Sequence, residues 1–522
     1  MIATVSALPE PELRSALTQL EQTGLLRSRG ELPGRTYVFK HALVQDAAYA
    51  TLLRGRRQEL HDRTARAIER DHPEISEREP EVVARHYTEA GQAEAAAEHW
   101  LRAGKRSAER SANSEAFEHL TRGLDILKSL PDTPQRQIRE LEYLLALGPC
   151  LISIKGGAAP AVGETYDRAR TLAREVGNLG HQFTATWGLW FVHEHRGELA
   201  AAQGHANDTL AIAREMAEPY ALLQAHHAAW TTLFNLPKFS DCREHIRHGL
   251  ALYDPAVHHS QSFAFGDHDP GVCCRVHDAT SLWMLGYSDQ AVIRVGEAVE
   301  LASSLKHQPS LMIALAFACF VHEWRGDLRQ TASYAARLST IAVQTRWRPV
   351  AGIMSASARI EKQDRTAVTE IRACIDQLRA TGQHMRRLYY LALLSDAHRR
   401  LGGLDEALVA IDEAFADILI TGERRWEAEL HRLRGEILVL SSNGDTTAAE
   451  TLLKKALHVA REQEARSLEL RAAASLARLY SAQGHRAKGQ DLLAPVYGWF
   501  TEGLETRDLK EAGALLLGKA VS

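Results

Sequence analysis

The sequence predicts an all-α fold: a superhelix (solenoid) of stacked helical hairpins behind a small N-terminal module of different pattern. Composition, recurring turn motifs and apolar stripes predict it. Alanine and leucine, both strong helix formers, supply 146 of the 522 residues. Only 16 prolines and 7% aromatic residues argue against a β-sandwich or barrel. The 45% hydrophobic and 25% charged residues are typical of a folded, soluble chain.

Turn motifs recur along the second half of the chain at nearly constant spacing. Each has a turn residue, most often glycine, before a small residue that opens the next helix. The turn residues are Gly286, Gly326, Gln363, Gly402, Gly444 and Gly484, at intervals of 40, 37, 39, 42 and 40 residues. Such a period indicates hairpins that bury their apolar faces against one another. Gly91 and Gly197 mark weaker copies nearer the N-terminus.

The helices beside these turns carry one apolar stripe each. The stripe after Gly403 consists of Ala407, Ile411, Ala414, Phe415 and Ile418. This spacing places all five side chains on one face of a helix. We expect Phe415 to be buried against the next hairpin, and each hairpin to contact only its neighbours in the chain.

Changes of pattern divide the chain into four parts. Residues 76–253 and 273–522 are predicted to hold TPR-like helical hairpins. Between them, residues 254–272 are rich in Pro, Gly, His and Asp and are typical of a long inserted loop. Residues 1–75 predict a short helix, two strands at 25–27 and 36–39, and helices at 42–53 and 56–70. That order is the layout of a partial winged-helix module.

Charge and cysteine content exclude several classes of protein. The net charge of -4 provides no basic field for nucleic acid or an anionic membrane. The basic run at 54–70 is interleaved with acidic residues, which favours ion pairs over DNA binding. The six cysteines form no Cys-x-x-Cys pair and predict a reducing, cytoplasmic setting. We expect neither a signal peptide nor a membrane span, because the apolar stretches are too short or too polar.

Several stretches resemble one family of bacterial signalling proteins. They include YVFKHALVQDAAYATLLRGRRQELHDRTARAIE at 37–69, FGDHDPGVCCRVHDATSLWMLGYSDQA at 265–291, and further segments at 80–107, 423–440 and 467–512. Together they resemble the C-terminal winged-helix and TPR region of adenylate or guanylate cyclase-like proteins that carry an AAA/STAND-type ATPase module. The resemblance covers nearly the whole chain.

The resemblance implies signal transduction in the cytoplasm and places the chain beside an ATPase and a cyclase. The sequence contains no G-x-x-x-x-G-K-[ST] motif, and no stretch resembles a cyclase domain. We therefore expect a chain without enzymatic activity or cofactor, equivalent to a split or truncated C-terminal half. Its expected partner is a protein, such as an ATPase or cyclase module, and a small-molecule ligand is a further possibility.

His41 is the candidate for a nucleotide contact. In STAND-type ATPases a winged-helix histidine touches the β-phosphate of the bound nucleotide, and Phe39-Lys40-His41 resembles that position. Because this chain lacks the ATPase, the contact would form in trans. The alternative interpretation is a structural histidine that caps the following helix.

Candidates for a binding groove come from the inserted loop and from tryptophans at helical spacing. Trp187 and Trp190 are the aromatic candidates, although most tryptophans of the chain are expected in the core. Asp267, His268 and Asp269 belong to a His, Asp and Cys cluster at 258–277. The cluster matches no closed zinc pattern, so no metal site is predicted. A loop that shapes a groove and a purely structural insertion both remain open.

Three hypotheses of function follow. The first is a non-catalytic interaction or sensor scaffold that binds a partner or ligand on its concave helical surface. The second is the C-terminal part of an ATP-binding, cyclase-like enzyme, which completes a nucleotide site in trans through His41. The third is a transcription regulator, although the C-terminus shows no helix-turn-helix.

Overall fold

The computed structural model describes residues 1–518 except 31–34, 262–264, 267, 344, 346 and 442–444. The chain divides into two compact units, residues 1–150 and 151–522. The boundary lies inside a helix, and the predicted boundary at residue 75 lies within the first unit. Within the described residues almost all regular structure is helical, as the composition predicts.

The first unit begins with the module of mixed structure. Its elements are α1 (Ile2–Ser6), α2 (Glu10–Gln22), β1 (Leu26–Arg29), β2 (Thr36–Phe39), α3 (Ala42–Thr51) and α4 (Arg54–Asp71). The strands form an antiparallel ribbon in which Leu26 pairs with Phe39 and Arg29 with Thr36. The predicted order of helix, ribbon and two helices is confirmed. Its assignment as a winged helix remains a prediction.

Helices alone continue the first unit. They are α5 (Pro73–Arg78), α6 (Pro80–Ala90), α7 (Ala93–Glu109), α8 (Asn113–Lys128) and α9 (Pro134–Lys155). Gly91 joins α6 to α7 with φ +76°. Glycine adopts this left-handed conformation without steric cost, so α6 and α7 form the hairpin expected there.

The second unit is a stack of helical hairpins. Before the insertion it contains α10 (Pro160–Val176), α11 (Leu179–Arg196), α12 (Leu199–Met216), α13 (Pro219–Asn235) and α14 (Phe239–Leu252). The predicted insertion holds only α15 (Pro255–His258) and a 3-10 turn, η1 (His259–Gln261).

Within the described residues, six hairpins follow the insertion. They comprise α16 (Pro270–Met284), α17 (Ser288–Ser304), α18 (Gln308–Trp324), α19 (Leu328–Ile341), α20 (Trp347–Ser357), α21 (Thr366–Ala380), α22 (Arg387–Arg400), α23 (Leu404–Thr421), α24 (Glu427–Leu440), α25 (Thr446–Glu462), α26 (Arg466–Ala482) and α27 (Arg486–Tyr497). A 3-10 turn, η2 (Ile360–Lys362), follows α20, and α28 (Arg507–Leu516) ends the described fold. This TPR-like architecture is the fold class that the sequence predicts.

The repeat turns lie where the sequence places them. Gly286, Gly326, Gly402 and Gly484 have φ values of +94°, +79°, +82° and +83° between the two helices of their hairpins. Gln363 occupies the equivalent turn with φ +60°, a conformation that costs a non-glycine residue free energy. Gly444 lies outside the described residues. The repeat is therefore confirmed at five of its six turns.

The first helices of the central hairpins are buried on every side. Every residue of α16 except Arg275 is buried, and α18 is buried over Met312–His322. A helix that is buried on all faces lies inside a core. The second helices, such as α19, bury only one stripe.

Hairpins that are distant in sequence also contact one another. Ser467 Oγ of α26 donates to the Trp283 carbonyl of α16 at 2.5 Å. Arg471 donates to the Trp324 carbonyl of α18 at 2.8 Å. The expectation that each hairpin contacts only its neighbours is therefore wrong. The stack turns so far that its last hairpins pack against earlier ones.

Phe415 also differs from the expectation. Ala407, Ile411 and Ala414 of its stripe are fully buried. Phe415 is only partly buried, because it lies at the edge of that stripe between His431 and Arg434, with its ring centroid 4.8 Å from that of His431.

All six cysteines are buried free thiols. Within the described residues, no helix combines the length and the apolar character that a membrane crossing requires.

Candidate ligand-binding cavity

A charged cavity of about 500 Å³ opens between the last hairpins of the second unit. It lies among the first helices α18, α22, α24 and α26 together with α28 and η2. The charged side chains that line it are Glu323, Glu361, Asp396, Arg399, Arg400, Glu429, Arg432, Glu436, Arg471, Arg478, Arg507, Asp508 and Glu511. Six arginines thus face seven carboxyl groups in a space of the size that small-ligand sites occupy.

Helical spacing brings these side chains to one surface. Asp396, Arg399 and Arg400 are three and four residues apart on α22. On α24, Arg432 lies three residues after Glu429 and four before Glu436. Residues so spaced share one helix face. Since α22 and α24 are the first helices of successive hairpins, their charged stripes meet inside the stack.

Arg432 is the central cation of the cavity. Its guanidinium lies 2.7 Å from Glu429 and 2.8 Å from Glu436 of the same helix. Glu436 also receives Arg478 at 3.0 Å and the Ser475 hydroxyl at 2.6 Å. Burial opposes ionisation of Glu436, but the surrounding guanidinium groups prevail and lower its pKa to about 2.

Asp396 anchors the α22 side of the cavity. Its carboxylate lies 2.6 Å from Arg399 and 2.7 Å from Arg400. Burial would raise the pKa of Asp396, yet Arg400, Arg399 and Arg432 together hold it below its usual range. The carboxylate therefore remains ionised at neutral pH.

Arg471 closes the side formed by α26 and α28. It lies 2.7 Å from Asp508 and 3.5 Å from Glu429, and it also donates to the Trp324 carbonyl. Burial opposes the charged form, but Asp508 and Glu429 raise the pKa of Arg471 above its usual range. One guanidinium thus ties together α18, α24 and α28.

The aromatic rings of Tyr389 and Trp426 line the cavity beside these charges. Tyr389 stacks on Trp426 with ring centroids 4.9 Å apart, and Trp426 lies 5.3 Å from Trp324. The Tyr389 hydroxyl donates to Glu323 at 2.9 Å. Burial raises the pKa of Glu323, which shifts this carboxyl toward its neutral form.

The rim is more loosely paired than the interior. Glu361 lies 3.5 Å from Arg507 and 4.0 Å from Arg400. Arg507 also reaches Glu511 at 4.0 Å. Long ion pairs near solvent contribute little stability, so these side chains can exchange partners at small cost.

A second cavity of about 590 Å³ lies elsewhere in the same unit. Its wall includes Ile154, His195, Met312, Trp347 and Arg348. It carries fewer charged groups than the first cavity.

The predicted groove residues do not line the charged cavity. Trp187 and Trp190 are 1% and 2% exposed, so they form core and not an accessible wall. Their indole N–H groups donate to the Gln224 carbonyl at 3.2 Å and to Thr232 Oγ1 at 2.8 Å. This corrects the prediction of an aromatic groove, because α11 packs this face against α13.

The loop candidates are buried as well. Asp269 caps α16 by accepting the Gly271 and Val272 N–H groups, and it also accepts the Tyr253 hydroxyl at 2.9 Å. His268, near the end of the insertion, is 7% exposed. Neither residue faces a groove, and Asp267 lies outside the described residues.

His41 is exposed at the N-terminus of α3. It occupies the capping position with φ −136°, but its side chain makes no capping hydrogen bond. The geometry gives no support to a structural cap. A nucleotide contact stays a prediction.

Sequence reasoning missed the charged cavity. The signal was present as Asp-x-x-Arg-Arg at 396–400 and Glu-x-x-Arg-x-x-x-Glu at 429–436. Such patterns are also typical of exposed helix faces with ion pairs. Only the position of α22 and α24 inside the stack distinguishes the two cases.

Comparisons with known proteins give distant matches. No protein-family model matches the chain. It is 28% identical over 475 residues to an uncharacterized protein of Rhizobium meliloti (strain 1021), a match that covers 90% of this chain and 46% of that protein. The chain therefore spans about half the length of this relative.

Solved structures with a similar course of helices include two sensors. One is a STAND protein with a tetratricopeptide repeat sensor from Pyrococcus horikoshii (12% identity, TM-score 0.45, 84% of this chain and 62% of that chain). The other is the apo quorum sensor NprR from B. thuringiensis (12% identity, TM-score 0.43, 70% of this chain and 99% of that chain). These likenesses are distant, and the hairpins described above define the fold.

Proposed function

We propose that the chain is a non-catalytic sensor module that binds a polar ligand of mixed charge, such as a short peptide, in the charged cavity. The observation that carries this proposal is the convergence of six arginines and seven carboxyl groups around about 500 Å³. Stability alone does not require such an arrangement, since apolar residues of similar volume often serve a core as well or better.

The charge pattern favours a ligand with both signs. A ligand carboxylate can replace Glu361 beside Arg400 or Arg507 at the rim, while a ligand ammonium can replace Arg507 beside Glu361 or Glu511. Because these rim pairs span 3.5 to 4.0 Å, replacing them loses little. A ligand of one sign alone would leave the opposite set uncompensated.

Binding would also bias the packing of the unit. The cavity wall combines α18 with α26 and α28, which lie far apart in sequence and are joined by Arg471. A ligand that bridges them stabilises the closed stack over any more open arrangement. A difference in affinity between two arrangements is what converts binding into a signal.

Calorimetric titration of the full chain tests the cavity. The probes are a tetrapeptide library with free termini and the same peptides acetylated and amidated. We expect binding by zwitterionic members, weakened roughly tenfold or more in Arg400→Met and Arg507→Met. Arg329→Met, an exposed arginine on α19, serves as the control. The proposal would be overturned if the acetylated and amidated peptides bound as tightly as the free ones. It would also be overturned if both rim variants bound the free peptides as tightly as the parent chain does.

The proposed signalling context is an ATPase–cyclase system. The stretches at 37–69 and 265–291 that resemble such proteins support it. We expect the chain to bind an ATPase or cyclase module and to turn over no ATP by itself. ATP hydrolysis or cyclisation by the purified chain, abolished by one substitution in it, would contradict this.

The alternative function is completion of a nucleotide site in trans. The exposed position of His41 at the start of α3 favours it. Co-purification with a candidate ATPase in ADP, ATP or no nucleotide separates the two functions. Retention that depends on ADP and on His41 favours the alternative, whereas nucleotide-independent retention favours the scaffold.

A further inference from the structure

A second polar cluster lies apart from the charged cavity, where the insertion meets α13 and α16. His227 of α13, His268 at the end of the insertion and Cys273 in the first turn of α16 converge there. Their exposed fractions are 2%, 7% and 3%. His227 Nε2 lies 3.2 Å from His268 Nε2 and 3.2 Å from Cys273 Sγ.

Hydrogen bonds on the far side of each ring set the orientation of both imidazoles. His268 Nδ1 donates to the Gly266 carbonyl at 2.8 Å. His227 Nδ1 donates to Gln224 Oε1 at 3.1 Å. A neutral imidazole that donates through Nδ1 presents a lone pair at Nε2. Two lone pairs and one sulfur therefore face a common point.

These separations match those around a bound metal ion. Zinc–nitrogen bonds of about 2.0–2.1 Å and a zinc–sulfur bond of about 2.3 Å place tetrahedral ligand atoms roughly 3.3–3.6 Å apart. The two 3.2 Å distances from His227 need shifts of only a few tenths of an ångström, and all three ligand atoms lie within 4.8 Å of one another. Oxygen acceptors behind metal-binding histidines are also the usual supporting contacts.

We propose that His227, His268 and Cys273 form a binding site for a thiolate-preferring divalent ion of the Zn²⁺ class. Two imidazoles and a thiolate are the ligand set that such an ion prefers. The thiol proton leaves when the ion binds. The ion would join α13, the insertion and α16 at a point where no covalent bond holds them.

The surroundings of Cys273 support this assignment. His277 Nδ1 donates to the Cys273 carbonyl at 2.9 Å and lies 3.5 Å from Cys273 Sγ, so its ring lies beside the sulfur. Trp230 stacks on His227 with ring centroids 5.1 Å apart and shields the site from water. Cys274 points elsewhere, with its sulfur 3.5 Å from the Ile246 carbonyl.

This site is not predictable from the sequence, because its ligands follow no known spacing. His227 lies 41 residues before His268 and on a different helix. The site is independent of the charged cavity, so either proposal can fail without the other.

Cobalt titration of the untagged, reduced full chain tests the site. We expect one Co²⁺ per chain, a tetrahedral-type visible spectrum and a thiolate-to-cobalt charge-transfer band, all displaced by Zn²⁺. Cys273→Ser should abolish the charge-transfer band, and His268→Ala should weaken binding by at least about tenfold. Cys274→Ser is the matched control and should bind as the parent chain does.

The thiolate-to-cobalt charge-transfer band distinguishes this site from a second histidine cluster. His226 and His245 lie with their Nδ1 atoms 2.9 Å apart near His248, and these rings could also attract cobalt. They have no thiolate, so cobalt bound there gives no such band. A spectrum without the band, or one unchanged in Cys273→Ser, would overturn the proposal. Because Cys273→Ser could disturb the core, His268→Ala in the inserted segment provides the second variant.

Discussion

His41 illustrates how a single side chain can be tested by its effect on stability. Its imidazole is exposed and makes no capping bond. We expect His41→Ala to change the free energy of unfolding of this chain by less than about 0.5 kcal/mol, the usual range for surface substitutions. Urea denaturation measures it. A loss of about 1 kcal/mol or more would restore the interpretation as a structural cap.

Phe415 tests the edge of an apolar stripe. Full burial would make Phe415→Ala cost about 3–5 kcal/mol. Because the ring is only partly buried beside His431 and Arg434, we expect about 1–3 kcal/mol by the same principle. Leu419→Ala on the same helix, at a residue 89% exposed, should have almost no effect. Equal losses in both variants would contradict the assigned stripe.

Alanine substitutions at two hairpin turns test the backbone conformation and the packing of these elements. Gly402 has φ +82° and nothing within 4 Å of the position of a Cβ, so Gly402→Ala should cost about 1–2 kcal/mol from the backbone alone. At Gly286 the added Cβ would lie 2.5 Å from Trp499. Gly286→Ala should therefore lower the melting temperature more. Equal shifts would mean that Trp499 does not pack against this turn.

The charged stripe of α24 predicts a dependence on pH. Glu436 has a pKa of about 2 in the folded chain, below its ordinary value of 4.5. Its stabilising contribution, on the order of 3 kcal/mol, is present above the unfolded pKa and is lost as the pH falls from about 4.5 to about 2. Glu436→Gln should remove that part of the acid dependence. Glu505→Gln, at a side chain 87% exposed, is the control and should leave it intact.

The contacts between hairpins that are distant in sequence predict where amide hydrogen exchange increases when one contact is lost. Arg471 links α26 to α18 and α28, so Arg471→Met should raise amide hydrogen exchange in α18 as well as in α26. Lys510→Met, at an exposed ion pair, should raise exchange in neither helix. An increase confined to α26 and the hairpins next to it in the chain would mean that each hairpin stabilises only its sequence neighbours.

The elements themselves were largely predictable. Turn residues such as Gly286 and Gly402 and the stripe through Ala407 and Ile411 are local signals, and the structure confirms them. Local signals suffice because the dihedral angles of a turn and the face of a helix depend on residues within a few positions of each other.

The candidate site was not predictable in the same way. Trp187 and Trp190 have the spacing of a groove wall, yet the packing of α11 against α13 buries them. Arg432 and Glu436 have the spacing of an exposed ion pair, yet they line a cavity. Periodicity identifies the face of a helix but does not say what that face meets.

By itself the sequence determined the helical hairpins, their period near 40 residues and the ribbon in the N-terminal module. Only the tertiary structure decided that α26 returns to α16 and α18, that thirteen charged groups enclose a cavity, and that His227 meets His268 and Cys273. The physical reason is the sequence separation over which each kind of interaction acts. Hydrogen bonds and dihedral preferences act over a few residues, whereas Trp324 and Arg471 are 147 residues apart and meet only because small rotations between successive hairpins accumulate.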